Sequence, residues 1–280
     1  MRQDFEAKTL TTIFDGWGEF LDYALVTDTR SRFNSSREVG NTYFTNTQDF
    51  PEAEKLAREG WKEGEEAIKE MSSKLFDVVA SYVERENVVY DVEGTGIDVA
   101  RFLDGEPECW QQFEVKRTKE AGRRLIRVIY NCAASAGIDK NVIMVRGAAV
   151  TALVGLLEYA GHGVELTVAE GVTHGGNAAE TYVTVKTFEQ PLDLSRVAYA
   201  VAHPSMLRRH MFAVCERMPE PLYGMVKIGS YGHPSEVSDK GDLYLGRMYF
   251  GEKEWRDGLS AQRWVIEELK RQGVHMSEEL

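Results

Sequence analysis

Residues 124–169 contain the pattern that most restricts how this chain can fold. RLIRVIY (124–130) is an apolar, β-branched run typical of a buried strand, and the small-residue loop NCAASAG (131–137) follows it. Residues 147–160 then carry alanine and leucine at helical spacing, and GVELTVA (163–169) alternates as a strand does. Two strands joined through a helix predict a βαβ unit with parallel strands in a covered sheet.

The patterns after this unit extend it into a larger domain. TYVTVKTF (181–188) predicts a strand antiparallel to 163–169, and Asp193 or Ser195 is placed to begin a helix. Further helices are predicted from Pro204 to residue 218 and from Ser260 to Gln272. The predicted fold class is therefore α/β, with an open, mostly parallel, Rossmann-like sheet.

The first part of the chain has a different sequence pattern. The first thirty residues predict an amphipathic helix around Trp17, Phe20 and Leu21, and residues 112–131 predict a β-hairpin. Asp49 is suited to begin a helix that has Pro51 in its first turn. We expect an N-terminal helical extension with lead-in strands over 1–110, packed as one unit on an α/β core over 111–280.

Composition limits the possible functions. The chain has 280 residues, with 33 Lys+Arg against 45 Asp+Glu, and its net charge of −12 disfavours nonspecific binding to nucleic acid. Residues 51–110 hold 16 acids and 7 bases, whereas residues 114–127 hold six bases and two acids. No 18-residue apolar run and no signal peptide is recognised, which predicts no membrane association. Three widely spaced cysteines predict buried thiols in a reducing cytoplasm.

Common catalytic motifs are absent from the sequence. It contains no phosphate-binding G-x-x-x-x-G-K-[ST], no H-E-x-x-H and no G-x-S-x-G. We therefore predict no cofactor, no bound metal and no catalytic residue.

The loop 131–137 is the first candidate site. An open α/β sheet places its ligands beyond the carboxyl ends of its strands, so Asn131, Ser135 and free backbone N–H groups could hold an anion or a metal. The alternative is a tight turn whose small residues let the following helix pack closely. Arg146, near that helix, is included among the candidate binding residues.

Two basic clusters are the other candidates. His203 precedes Pro204, and Arg208 and Arg209 follow it. A helix that begins at Pro204 would present a basic face near its N-terminus, where anions bind. The alternative is a surface-basic helix with a histidine cap. Arg123, Arg124 and Arg127 lie in the predicted hairpin, either as a patch for phosphate or an acidic partner or as a solvated face.

A group of acids over 91–108 leaves a third possibility. Asp91, Asp98 and Asp104 are close in sequence to Glu106 and Glu108. Acids that converge on one point could serve a metal-dependent enzyme, whereas acids near turns are otherwise solvated.

The order strand, small-residue loop, helix, strand, antiparallel strand, helix from residue 124 onward resembles the start of a von Willebrand factor A domain. In that family the first strand ends in D-x-S-x-S, which holds Mg²⁺. Asn131, Ala133 and Ser135 stand at these positions here, so two of the three ligands are missing. The resemblance implies a degenerate metal site and function by protein contact.

Most of the chain also resembles an uncharacterised family of tailed-bacteriophage proteins. The similar segments are FTNTQDFPEAEKLAREGW (44–61), YDVEGTGIDVARFLDGEPECW (90–110), RGAAVTALVGLLEYAGHGVEL (146–166) and AYAVAHPSMLRRHMF (198–212). This resemblance implies a virus-encoded protein made in a bacterial cytoplasm and brings no activity with it.

Taken together, these patterns predict a non-enzymatic phage accessory protein that binds another phage or host protein or complex. The first alternative is a transcription or replication accessory factor that binds single-stranded nucleic acid. It would use the predicted hairpin, a mobile arm with Arg30, Arg32 and Arg37, and exposed aromatic residues such as Phe33 and Tyr43. The second alternative is a metal-dependent enzyme that acts on nucleic acid or a nucleotide through the acids of 91–108.

Overall fold

The computed structural model describes residues 1–27, 35–69, 84–93, 96–117 and 124–272. The strands are β1 Arg2–Glu6, β2 Thr9–Phe14, β3 Glu84–Asp91, β4 Gly96–Ile97, β5 Trp110–Arg117, β6 Leu125–Asn131, β7 Gly163–His174, β8 Asn177–Lys186, β9 His233–Ser235 and β10 Leu243–Leu245. The helices are α1 Trp17–Leu25, α2 Thr42–Thr45, α3 Phe50–Glu59, α4 Val99–Leu103, α5 Lys140–Tyr159, α6 Leu194–Ala202, α7 Phe212–Cys215, α8 Tyr223–Lys227 and α9 Gly258–Arg271. Ser35–Arg37 is a 3₁₀ turn, Met206–Met211 is a π-helix, and residues 62–69 are also helical.

The βαβ unit is present as predicted. Strands β6 and β7 are parallel neighbours, paired from Leu125 with Gly163 to Asn131 with Ala169, and α5 joins them. Helix α5 begins at Lys140, seven residues before the predicted start, because the Asp139 side chain caps it by accepting a 2.8 Å hydrogen bond from the Asn141 N–H.

The main sheet has seven strands in the order β1-β2-β8-β7-β6-β10, and β9 also pairs with β7. The β2–β8, β6–β7 and β6–β10 pairs are parallel, and the other three pairs are antiparallel. Strands β1, β6, β7 and β10 consequently run in one direction. The α/β class with an open sheet is confirmed, and so is the predicted element order from β6 to α6.

One face of the main sheet carries the large apolar core. Ile126, Val128 and Tyr130 of β6 are buried there with residues of α5, α6 and α9. On the opposite face, Val237 packs over Ile129 and Tyr182. The helices therefore hold the sheet rigidly from one side, and rigid strands fix the loops at their carboxyl ends.

Helix α5 is long and apolar enough, by length and composition, to cross a membrane, which differs from the expectation that no such segment exists. In the fold, 67% of its most apolar window is buried. It is the central helix of the core, between the sheet, α6 and α9, and its burial there accounts for its hydrophobicity.

The first fourteen residues differ from the prediction of a helix. Strands β1 and β2 form a hairpin that extends the main sheet, and β2 runs parallel to β8. The segment TLTTIF (9–14) is rich in β-branched residues and alternates in burial, which is strand chemistry. The predicted amphipathic helix is limited to α1, where Trp17, Phe20 and Leu21 are buried.

The predicted hairpin over 112–131 is wrong. Strand β5 pairs antiparallel with β3 and β4 in a separate three-stranded sheet, whereas β6 lies in the main sheet. A sequence pattern identifies a strand but not its partner, and β3 provides β5 with an eight-residue pairing. Strands β1 and β2 of residues 1–14 belong to the main sheet, whereas β3, β4 and β5 form the second one.

Candidate functional site

The loop after β6 is built around Asn131, which is fully buried. Its Oδ1 accepts a hydrogen bond from the Ala133 N–H at 3.0 Å, and its Nδ2 donates to the Ser235 carbonyl at 2.9 Å. Ser235 belongs to β9, which pairs with β7 just beyond the last β6–β7 pair. Asn131 therefore closes a turn and joins two strands, so the predicted role of its amide in holding an anion or metal is wrong.

A cavity of 380 Å³ lies beyond the carboxyl end of β6, and we call it the strand-end cavity. Ser135 is in its wall, as predicted for a ligand site at this end of the sheet. The residues that line it come from six parts of the chain: Ser35, Phe44, residues 133–136, Glu170 and Val172 of β7, Leu207 and Phe212, and residues 229–234.

Glu170 is the buried ionisable group of this cavity. It follows Ala169, the last β7 residue paired with β6, and it is 2% exposed. The Cys215 thiol, a weak donor, lies 3.5 Å from its Oε2. Burial raises the pKa of Glu170 to about 7. Among the described residues no lysine, arginine or histidine forms an ion pair with it.

The two cysteines near Glu170 are unsuited to nucleophilic chemistry. Cys132 and Cys215 are free and buried, as predicted for the cysteines of this chain. Burial, with Glu170 close by, raises the pKa of both thiols well above the usual range. Because the thiolate is the nucleophile, these thiols are inert packing groups.

Hydrogen bonds fix an aromatic wall of the cavity. The Tyr231 ring stacks on Phe212 with centroids 3.7 Å apart. The Tyr231 hydroxyl donates to Glu216 at 2.6 Å and accepts from the Ser35 hydroxyl at 2.7 Å. A ring held at its face and at its hydroxyl is preorganised for a ligand.

Large apolar side chains are exposed next to the cavity-lining segments, and we call Tyr43, Ile228 and Phe250 the rim. They are 77%, 72% and 69% exposed, respectively. Tyr43 precedes Phe44 and Ile228 precedes residue 229, while the Phe250 ring lies against Gly137 at the end of the 133–136 wall. Exposed apolar groups around a cavity are typical of a protein-binding surface.

Arg146 has a structural role at the strand end. It is buried, and its guanidinium donates to the carbonyls of Asn131, at 3.4 Å, and Gly246. The charge also lies 4.9 Å from the centre of the Tyr130 ring. These contacts tie the loop after β10 to the end of β6 rather than offering a cation to a ligand.

Arg208 and Arg209 do not present a basic face, so that expectation is wrong. They lie in the π-helix, 2% and 0% exposed. Arg208 donates to the carbonyls of Phe44 at 2.7 Å and Ile138 at 2.6 Å, and burial lowers its pKa to about 10. Arg209 makes five hydrogen bonds, to the carbonyls of Ser36, Glu38 and Thr47 and to the hydroxyls of Thr45 and Thr47.

His203 also belongs to this internal network. It is 2% exposed, its Nδ1 accepts from the Ser205 N–H at 3.2 Å, and its ring stacks on Tyr199. Burial and the neighbouring His210 lower its pKa to about 3, so the ring is neutral at ordinary pH. A neutral buried histidine cannot provide the predicted anion site.

Of the basic residues of 114–127, Arg124 and Arg127 have described side chains, and both are already bonded within the protein. Arg127 lies on the main sheet, where Glu165 at 3.3 Å and Asp239 at 2.7 Å neutralise it. Arg124 donates to the carbonyl of Gln272 at 3.0 Å. Arg123 lies outside the described residues, as do Arg30, Arg32 and Phe33 of the predicted arm. Arg37 donates to the carbonyls of Ala24 and Leu25.

Two of the acids of 91–108, Asp98 and Glu106, have local partners. Asp98 accepts from the Tyr90 hydroxyl at 3.1 Å and from the Arg101 N–H at 3.2 Å, and Glu106 pairs with Arg101. Within the part of the chain that the structure describes, no three histidine, cysteine, aspartate or glutamate side chains are placed to hold a metal ion.

Sequence reasoning missed Glu170 and the aromatic wall. One signal was available, because Glu170 directly follows GVELTVA (163–169), a strand predicted to lie in a covered sheet. A charged residue at that position has no solvent-facing side to occupy. Phe212 and Tyr231 carry no such signal, since their approach to Glu170 depends on loops far away in sequence.

Comparison with known proteins gives one match. The model of a family described as a domain of unknown function (DUF7192) matches residues 3–275. No curated protein and no solved structure matches the chain.

Proposed function

The chain belongs to the DUF7192 family, and we propose that it acts by binding another protein, through the strand-end cavity and its rim. The occupant is a partner segment that places apolar residues on the rim and one side chain in the cavity. Phage origin, work in the bacterial cytoplasm and a phage or host partner belong to the same proposal. They rest on the sequence resemblance alone.

The observation that carries this proposal is the combination of an exposed apolar rim with a preorganised cavity. Tyr43, Ile228 and Phe250 are too exposed to serve the core. They lie where a partner's backbone would pass while one side chain enters the cavity. Aromatic anchors around a pocket are the usual centres of binding energy in protein interfaces.

Binding is favoured over catalysis by the state of the reactive groups. The two thiols near Glu170 have raised pKa values, which disfavour the thiolate. His203 is neutral and already bonded in the core. The side chain that meets the Glu170 carboxyl is the Cys215 thiol, and a thiol with a raised pKa is a poor nucleophile, so we favour a binding role for the cavity.

Nucleic-acid binding has less support. The basic hairpin that would have contacted phosphates does not form, and Arg127 is neutralised by two acids. The net charge of −12 favours a basic partner over a polyanion. The likeness to a von Willebrand factor A domain, an interaction module, is compatible with protein binding and stays part of the proposal.

Site-specific photo-crosslinking tests the proposal. A benzophenone side chain is placed at Tyr43, Ile228 or Phe250, and at Phe5 on the far edge strand β1 as an exposed control. After irradiation in host cells that contain the phage, we expect one discrete adduct shared by the three rim positions and missing at Phe5. Ile228→Asp should remove the adduct formed at Phe250. Adducts that are equal at Phe5, or differ among rim positions, would contradict the proposal.

A further inference from the structure

Among the described residues, Glu170 differs from the other buried glutamates because neither a cation nor a strong hydrogen-bond donor meets its carboxyl group. Lys186, for comparison, is buried with Glu158 at 2.5 Å, and buried Glu268 pairs with Arg271. Buried Glu180 accepts hydrogen bonds at 2.6 Å from the hydroxyls of Tyr182 and Ser238. Glu170 has the Cys215 thiol at 3.5 Å. A buried carboxylate is stable when a positive group or strong donors meet it.

The place where a positive group can meet Glu170 is the strand-end cavity, because Glu170 is one of its lining residues. Its volume of 380 Å³ is within the range of small-ligand sites and admits a long side chain. Phe212 and Tyr231 line the same space. Aromatic rings attract cations, and they also pack against the aliphatic part of a lysine or arginine side chain. The hydroxyls of Ser35, Ser135 and Ser230 can accept hydrogen bonds from the remaining N–H groups of the cation.

We propose that the strand-end cavity receives the ammonium or guanidinium group of a lysine or arginine side chain, with the Glu170 carboxylate as its counter-ion. This inference rests on the proposed function, since it identifies the side chain that a protein partner inserts. The net charge of −12 agrees with a basic partner segment.

Binding of a cation should depend on pH through Glu170. Cys215 of α7 and Cys132 of the loop after β6 face it, and Tyr231 and His233 line the same cavity. With the pKa of Glu170 at about 7, the carboxylate fraction is about one tenth at pH 6 and nine tenths at pH 8. Affinity for a cation should therefore rise by about tenfold between these values. His233→Gln separates the contribution of the histidine.

The experiment uses small probes and backbone-amide chemical shifts of the full chain. The cations are Nα-acetyl-lysine methylamide and Nα-acetyl-arginine methylamide, and the matched neutral probes carry norleucine and citrulline. We expect the cations to shift the amides of residues 133–136 and 229–234 saturably at pH 8, and the neutral probes to shift them at least tenfold more weakly. Glu170→Gln should abolish the difference, whereas Glu180→Gln, a buried acid bound by hydroxyls of Tyr182 and Ser238, should keep it.

The outcomes separate this inference from the proposed function. Equal shifts from charged and neutral probes, no saturable shift from either cation, or an affinity in His233→Gln that does not change with pH would overturn the inference. Free arginine and spermidine form a further arm, and tighter binding of these than of the blocked probes would assign the cavity to a free metabolite instead. Crosslinks at the rim without binding of the cationic probes would support partner binding and contradict insertion of a cationic side chain.

Discussion

Glu170 shows how a single residue can reveal a site that motifs do not. It lies in a buried stretch of β7, it has no cationic partner among the described residues, and it lines a cavity. A buried carboxyl group of this kind lowers stability, so its presence is most simply explained by a ligand that brings the missing charge. That reasoning carries the ligand chemistry proposed for the strand-end cavity.

The cost of burying Glu170 should appear as a pH-dependent stability. Its pKa is about 7 in the folded chain, against a reference of 4.5. The carboxyl is protonated in both states below pH 4.5, and between 4.5 and 7 only the unfolded chain ionises, so stability is lost as pH rises. The free energy of unfolding of Glu170→Gln should therefore exceed that of the wild type by up to about 3 kcal/mol at pH 8 and by little at pH 4. Denaturant unfolding at the two pH values measures this, and a gain independent of pH would contradict it.

Arg209 illustrates the opposite case, a charged residue that the structure satisfies completely. Its guanidinium binds the carbonyls of Ser36, Glu38 and Thr47. Arg209→Met removes the donors and leaves the carbonyl oxygens buried without a hydrogen bond. This should lower the free energy of unfolding by about 3–5 kcal/mol. Arg256→Met, at a side chain that is 73% exposed, should cost almost nothing in the same thermal or denaturant unfolding measurement. Similar losses for the two variants would refute the structural role.

The sequence placed basic residues at candidate sites without showing whether they were free. Arg208 and Arg209 look like an anion site at a helix start, yet main-chain carbonyls of distant segments occupy both. Such partners are invisible in a local pattern because they come from more than sixty residues away. Ser135 lies in the loop after β6, as the local pattern predicts, and its role in binding stays a prediction.

At the level of elements, the βαβ unit depends on close approach between helices α5 and α6. A Cβ atom at Gly147 would lie 2.2 Å from the Cα of Ala202 and from the carbonyl oxygen of Val201. These are backbone atoms of a packed helix and cannot move aside cheaply. Gly147 is therefore present for packing, although glycine is a poor residue for a helix interior.

Two glycine substitutions separate packing from helix propensity. Gly147→Ala should lower the free energy of unfolding by about 2 kcal/mol or more, because overpacking outweighs the gain in propensity. Gly18→Ala in α1 meets no atom within 4 Å and should instead stabilise by about 0.5–1 kcal/mol. Thermal unfolding of both variants is the measurement, and shifts of the same sign would contradict the close contact between α5 and α6.

Helices and strands could be predicted where the local sequence pattern determines them. They could not be predicted where pairing with a distant strand determines them. The alternation and apolar runs of 124–130 and 163–169 identified β6 and β7, and Asp193 identified the start of α6, where it caps the Arg196 N–H. Strand β5 was identified too, but its partner is β3, nearly thirty residues back. Strand β2 is not recognised by the local pattern because its partner β8 lies far along the chain, outside any local window.

At the scale of the whole molecule, the net charge of −12, the rim and Glu170 point to the same kind of partner. A basic protein segment would be attracted at a distance, would cover Tyr43, Ile228 and Phe250, and would place one cation in the strand-end cavity. The long-range part should weaken with salt, whereas the rim contacts should not.

The most direct test of this account is the affinity of a short peptide in which leucines flank one lysine, measured by titration calorimetry at pH 8. We expect both Glu170→Gln and Ile228→Asp to weaken binding by at least tenfold. With norleucine in place of the lysine, the peptide should stay sensitive to Ile228→Asp and become insensitive to Glu170→Gln. Equal weakening of both peptides by Glu170→Gln, or no effect of either variant, would contradict the joint role of rim and cavity.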